Sequence, residues 1–198
     1  MASPIYEPLR AAIRKGDGER VTAQEVLDAL GPRAFGLAIM VIMAPVCLPM
    51  PPGVPTVAGI ILVLFAVQLV LGFKSPLLPG WVKRRTFSRR KLLGAIDTLE
   101  RRLKFIERLA HARLRFITGR FGARLMGLVF LVHGLVLILP IPFLGNLPPA
   151  IAASILALAL AQRDGLLALA GFAASALAVA FTWKLAVATI GVLSGYFW

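Results

Sequence analysis

Two proline clusters interrupt long apolar runs, and they restrict what this chain can fold into more than any other feature. Pro49-Met50-Pro51-Pro52-Gly53-Val54-Pro55 separates the uncharged run Ala34 to Leu48 from a second run, Thr56 to Leu71. Pro140-Ile141-Pro142-Phe143-Leu144-Gly145-Asn146-Leu147-Pro148-Pro149 separates Leu125 to Leu139 from Ala150 to Ala161. Such clusters cannot be helical, because proline lacks the amide hydrogen and its ring clashes with the preceding turn. Each apolar run is therefore an arm of a broken helical hairpin. The first two arms have 15 and 16 residues, about 24 Å at 1.5 Å per residue, which is short of the roughly 30 Å hydrocarbon core of a bilayer. The tips fall short of the far side or only just reach it, and non-helical backbone at that depth must be buried in protein or line a wet cavity.

Composition places these hairpins in a membrane. The 198 residues are 59% hydrophobic and only 16% charged, with a mean hydropathy of +0.83, against about 45 to 50% apolar and about 25% charged residues in soluble domains. That argues against a secreted domain, a cytosolic enzyme or a free nucleic-acid binder. Residues 1–33 are mostly polar, so no secretory leader is expected there. Cys47 is the single cysteine, which excludes an intrachain disulfide and a cysteine-cluster metal site.

Charge then sets orientation. Residues 1–33 carry five basic and five acidic side chains, residues 34–72 none, and residues 73–120 fourteen Lys/Arg against Asp97, Glu100 and Glu107, a net +11 of the chain's +13. The positive-inside rule keeps that central segment cytoplasmic, together with the N-terminus. Each hairpin then leaves and returns to the same side. Lys83, Arg84, Arg85, Arg89, Arg90 and Lys91 are the candidates for anionic headgroups; a plain solvated face or topology signal is the competing explanation. No aromatic-interleaved module accompanies the charge, so nucleic acid is not an expected partner.

Local signals fill in the rest. Thr22-Ala23-Gln24-Glu25 is a capping box opening a short amphipathic helix that ends near Gly31-Pro32. Between Arg90 and Ile117 the stripe Leu92, Ile96, Leu99, Leu103, Ile106, Ala110, Leu114 and Ile117 predicts an amphipathic helix, either interfacial or docked on a partner helix. Leu166 to Trp183 is long enough to span, and Leu185 to Trp198 follows, with Lys184 marking either a turn or a snorkelling residue. The expected fold is an all-α integral membrane protein of two tandem proline-broken hairpins, membrane-spanning or re-entrant, with amphipathic interfacial helices. Its parts are residues 1–72 (amphipathic helix and first hairpin), 73–120 (basic linker) and 121–198 (second hairpin and C-terminal helices).

The two hairpins share landmarks. Gly36 and Gly127 are 91 residues apart, as are Pro49 and Pro140, and Pro51 and Pro142; after a three-residue gap, Pro55 and Pro149, and Gln68 and Gln162, are 94 apart. A duplication accounts for this, and the repeat is expected to be parallel, unlike the inverted repeats of many carriers. Facing breaks bring helix ends together. The candidate polar pathway therefore comprises Pro49, Pro51, Gly53 and Pro55 from one break, Pro140, Pro142, Gly145, Asn146 and Pro149 from the other, and Gln68, His133 and Gln162 along the arms. Asn146 can serve a ligand or merely tie off a helix end; Gln68, Gln162 and His133 can equally satisfy neighbouring helices.

The segments Leu30-Gly31-Pro32-Arg33-Ala34-Phe35-Gly36, Pro49-Met50-Pro51-Pro52-Gly53, Ala66-Val67-Gln68, Pro79-Gly80-Trp81 and Arg84-Arg85 resemble the first half of the ExoD family of bacterial exopolysaccharide-synthesis membrane proteins. Thr118-Gly119, Gly127, Pro140-Ile141-Pro142, Gly145-Asn146-Leu147-Pro148-Pro149 and Arg163-Asp164-Gly165 resemble its second half, so the resemblance runs from about Gly16 to Phe181. The Pro148-Pro149 pair departs from it, since the family usually has one proline there. The resemblance implies a bacterial inner-membrane protein connected with exopolysaccharide production and brings no catalytic residues with it.

An enzyme is the weakest class: no paired carboxylates, metal-spaced histidines, Ser/His/Asp grouping or phosphate loop is present, and no catalytic residue, metal or cofactor is expected. Asp164 beside Arg163 reads as a pairing or capping residue. The favoured expectation is a small transporter, channel or lipid-handling protein with a polar site between the breaks. The alternative is a structural or regulatory subunit docking on polysaccharide machinery. About six short hydrophobic segments are few for enclosing a pathway, and a homodimer would supply the remainder.

Overall fold

A computed structural model describes residues 19–31, 33–48, 51, 53–78, 80, 84–90, 93–94, 118–139 and 143–197. The stripe between Arg90 and Ile117 lies almost wholly outside them, as do Pro49, Pro140, Pro142, Lys83, Lys91 and Trp198.

Strand β1 (Arg20–Thr22) leads into helix α1 (Ala23–Leu30), which begins where the capping box places it. Glu25 N–H donates to Thr22 Oγ1 and Thr22 N–H to Glu25 Oε2, each at 3.2 Å. Gly31, at φ 54°, ends the helix. Strand β2 (Thr86–Ser88) pairs antiparallel with β1 in the register Val21 to Phe87. No alternating pattern announced this ribbon; three-residue strands are too short to carry one.

The body of the fold is four arms and one long helix. Helices α2 (Arg33–Val46) and α3 (Val54–Val70) form the first hairpin, α4 (Arg120–Ile138) and α5 (Leu147–Gln162) the second, and α6 (Gly165–Phe197) follows. Each hairpin breaks at its proline cluster. Pro55 opens α3 behind Gly53, whose φ of 100° suits a residue without Cβ, and Pro148 and Pro149 occupy the first turn of α5, where the missing amide hydrogen costs nothing. A 3-10 turn, Phe143–Asn146, precedes α5. Pro45 lies inside the last turn of α2, so the helix continues through it.

The hairpins pack crosswise. α2 lies against α5 and α3 against α4, while α6 packs on α5. Glycines permit backbone contact: a Cβ on Gly36 would come within 2.5 Å of Ala157 O and Ala161 N, and one on Gly127 would lie 3.2 Å from Ala66 O and 3.1 Å from Val70 N. The glycines are 91 residues apart, and so are the residues they meet. Gly59 faces Gly134 and Ile138 farther along the same pair, so α3 and α4 run antiparallel. Gly36 meeting Ala161, with Cys47 meeting Ser154, gives the same sense for α2 and α5. Both breaks therefore lie at one end of the bundle, and Arg33, Arg120 and Arg124 at the other.

The 91-residue spacing persists at that second end, which corrects the 94-residue matching. Phe73 N–H donates to Gln68 O at 3.0 Å and Asp164 N–H to Ala159 O at 3.1 Å, behind Gly72 (φ 83°) and Arg163 (φ 55°). Both ends carry the six-to-one bond of a Schellman-type end, 91 residues apart. Gln68 thus corresponds to Ala159, and its 94-residue match with Gln162 is not structural. A second correction concerns the C-terminus: Leu166 to Trp183 and Leu185 to Trp198 are not two segments, because α6 runs unbroken through the exposed Lys184 to Phe197. A single lysine neither removes a backbone hydrogen bond nor blocks a helical rotamer, so it cannot force a turn.

The interior is apolar and close. Phe35 and Phe65 meet edge to face with centroids 6.4 Å apart, around Ile39, Met43, Leu62, Met126, Phe130 and Leu156, all fully buried. α5 is enclosed by α2 on one side and α6 on the other, which its alanines allow.

Candidate functional site

The two breaks share an end of the bundle but differ in chemistry. At the first, an open apolar groove of about 560 Å³ runs between Ile42, Pro45 and Val46 of α2 and Val54, Val57 and Ile61 of α3. Pro51 and Gly53 are exposed beside it and Pro55 is half-buried. No polar side chain lines it.

The second break carries the polar groups. His133 on α4 is 0% exposed, with its Nε2 2.9 Å from Ser175 Oγ on α6. Among the described residues its Nδ1 has no hydrogen-bond partner, and neither has Asn146 Oδ1 at the end of the 3-10 turn nor Thr182 Oγ1 on α6. Asn146 does not cap α5. Gly145 and Pro149 are buried beside it. A buried polar atom left unpaired costs about 1–3 kcal/mol. Thr182 had an inexpensive alternative, because helical Ser and Thr can bond the carbonyl four residues back. Ser154 does so to Ala150 O and Thr189 to Leu185 O, each at 2.8 Å; Thr182 does not.

These groups form two levels. α5 and α6 run antiparallel from the turn at Arg163 and Asp164, with Gly171 packed on Leu156. The same pairing sets Ser175 level with Ala152 and Thr182 level with Gly145 and Asn146, where the 3-10 turn touches α6. Seven residues of helix separate Ser175 from Thr182, about 10 Å. Asn146 and Thr182 thus stand at the mouth, and His133 and Ser175 one step inside. Gly171, Ser175, Ala178 and Thr182 make the inward face of α6.

Other expected site residues are elsewhere. Gln68 lies at the opposite end, where Leu77 N–H donates to its Oε1 (2.6 Å) and its Nε2 donates to Leu77 O (3.4 Å). Gln162, the last residue of α5, is buried at that end too. The structure therefore does not bring either glutamine to the breaks. Asp164 Oδ1 accepts from Leu166 and Leu167 N–H at 2.9 and 3.2 Å, so it caps α6 rather than facing a ligand. Arg84, Arg85 and Arg90 are exposed around β2, and Arg89 is half-buried. Among the described residues no three of His, Cys, Asp and Glu gather where they could hold a metal. Sequence reasoning missed Ser175 and Thr182; their signal was two hydroxyls seven residues apart on one face of the helix.

Known proteins give this arrangement its context. The family model described as "Exopolysaccharide synthesis, ExoD" matches residues 5–184. Protein ExoD of Rhizobium meliloti (strain 1021) is 30% identical over 172 residues, covering 85% of this chain and 71% of the relative. An uncharacterized protein of Synechocystis sp. (strain ATCC 27184 / PCC 6803 / Kazusa) is 31% identical over 162 residues, covering 81% and 76%. No solved structure matches. With a family match across most of the chain, crossing both hairpins and the polar level between α4 and α6, the protein belongs to the ExoD family of exopolysaccharide synthesis.

Proposed function

We propose that the chain is a multi-pass protein of the bacterial inner membrane, built on a tandem duplication, that passes a small polar solute or a lipid headgroup through the broken end of its bundle. The carrying observation is the set of unpartnered buried atoms, Asn146 Oδ1, Thr182 Oγ1 and His133 Nδ1, behind the second break. Evenly apolar packing would have avoided them.

Length and surface support the membrane reading. Arg120–Ile138 and Gly165–Thr189 are long and apolar enough to cross, each with a mean hydropathy of 2.0. Large apolar side chains such as Val41, Phe121, Leu177 and Trp183 point outward, each at least 70% exposed, a surface lipid would cover. The apolar stretch of α6 continues to Thr189, seven residues beyond Thr182 and so about 10 Å past the breaks. The breaks are then recessed below the outer surface, with the basic end cytoplasmic. Recessed, non-helical backbone calls for a wet or protein-lined cavity.

The test uses Leu48 and Leu139, which flank the two breaks, are 63% and 57% exposed, and stand 91 residues apart. Single cysteines there, in a Cys47→Ser background, are treated with a membrane-impermeant maleimide in spheroplasts and in inverted vesicles. Labelling from the outer side alone supports an outward-opening site. Labelling of neither from either side rejects it in favour of a sealed, structural subunit of polysaccharide machinery.

A further inference from the structure

We propose that His133 is a proton-binding site of the bundle interior, supplied by water held at the mouth by Asn146 and Thr182. The inference rests on the membrane reading above and goes beyond it by naming the ion.

Elimination leads to the histidine. Residues 34–72 and 125–162, which make up most of all four arms, contain no charged side chain. The groups packed around His133 are easily named. α3 and α5 offer no acid or base; α4 carries Arg120 and Arg124 at the far end; α6 carries Asp164, which caps its own far end, and Lys184, which is exposed. α2 carries Arg33 at its far end, and just beyond α2 lies Cys47, whose Sγ is 3.6 Å from Ser154 Oγ. A metal cation would find no carboxylate here. A proton needs only a nitrogen lone pair and a partner that tolerates both states.

Ser175 is such a partner. With Nε2–H donating to Ser175 Oγ at 2.9 Å, the bond stands in the neutral ring and in the cation alike, and Nδ1 is the bare nitrogen that gains the proton. The step is a simple transfer: a hydronium in the mouth gives its proton to the unprotonated ring nitrogen and becomes water, and the neutral ring becomes a cation. Nδ1, buried and unpartnered, is the atom left for the water chain to meet. Thr182, turned away from its own backbone, and Asn146 hold that chain one step nearer the break.

The chain has two histidines, which makes a direct reading feasible. His111→Gln leaves one ring, and the intact protein carrying 15N-histidine in lipid nanodiscs is followed by NMR. Ring 15N shifts of His133 that move together through one midpoint between pH 3 and pH 8 support the proposal. Shifts that stay constant across that range overturn it and leave a fixed structural tautomer. The combined Asn146→Leu and Thr182→Val variant tests the supply: loss of that transition supports the water route, and an unchanged transition overturns it. None of these results depends on the cysteine-labelling experiment, so failure of the topology and failure of the proton site remain distinguishable.

Discussion

Residues 91 apart in the two hairpins occupy the same places and meet different neighbours. Ile42 and Ile61 are half-buried, whereas His133 and Ala152 are 0% and 1% exposed. Val54 and Val57 are exposed, whereas Gly145 is buried and Pro148 half-buried. α6 makes the difference, lying against α5, the 3-10 turn and α4 on the second side, while the matching face of α2 and α3 stays an open groove. The buried polar atoms without a partner among the described residues, on His133, Asn146 and Thr182, lie where a covering helix shields them. A polar group on an open lipid-facing groove would pay its desolvation with no partner, so the uncovered half keeps apolar residues.

The largest expected effect concerns the two backbone contacts. Gly36→Ala drives a Cβ within 2.5 Å of backbone atoms of α5, whereas at Gly127 the nearest atom, 2.9 Å away, is the end of the Val70 side chain. Overpacking costs about 1–3 kcal/mol, occasionally more, so Gly36→Ala should lie at the top of that range and Gly127→Ala well below it. Unfolding in mild detergent, followed by circular dichroism, gives the order; equal losses would refute the asymmetry.

Ser175→Ala comes next. It leaves both nitrogens of a buried ring unpaired, about 1–3 kcal/mol. His133→Leu with Ser175→Ala removes both partners together and should restore much of that loss in the same assay. If the double variant is the less stable, the pair is more than a local hydrogen bond.

Asp164 and Phe73 occupy the same place in the two Schellman-type ends, and only Asp164 starts a helix at once. Asp164→Ala should cost about 1 kcal/mol through the lost N-cap. Phe73→Ala should leave helix content unchanged. The remaining pair is Arg163→Gly and Gly72→Ala: a non-glycine residue in the left-handed region carries about 1–2 kcal/mol of strain, so the first should stabilise by up to that amount and the second destabilise similarly. Both are read as shifts in melting temperature, and shifts of the same sign would contradict equal backbone geometry.

Much of the fold was legible in particular residues. Thr22 and Glu25 announced α1 and the prolines the breaks, and Asp164 read as a pairing or capping residue, because each acts through neighbours a few residues away. The candidate site was half legible. His133 and Asn146 stood out as polar residues in apolar arms, but Ser175 and Thr182 gain meaning only when α6 folds back on α4 and α5. The Gln68 and Gln162 match misled because sequence spacing cannot distinguish a shared residue type from a shared backbone position.

The sequence alone determined where the helices break, since proline geometry acts locally. Only the tertiary structure decided that the hairpins pack crosswise through Gly36 and Gly127, and that one groove is covered and polar while the other is open and apolar. Close packing between helices depends on which small residues meet across space, and no periodicity along the chain contains that information.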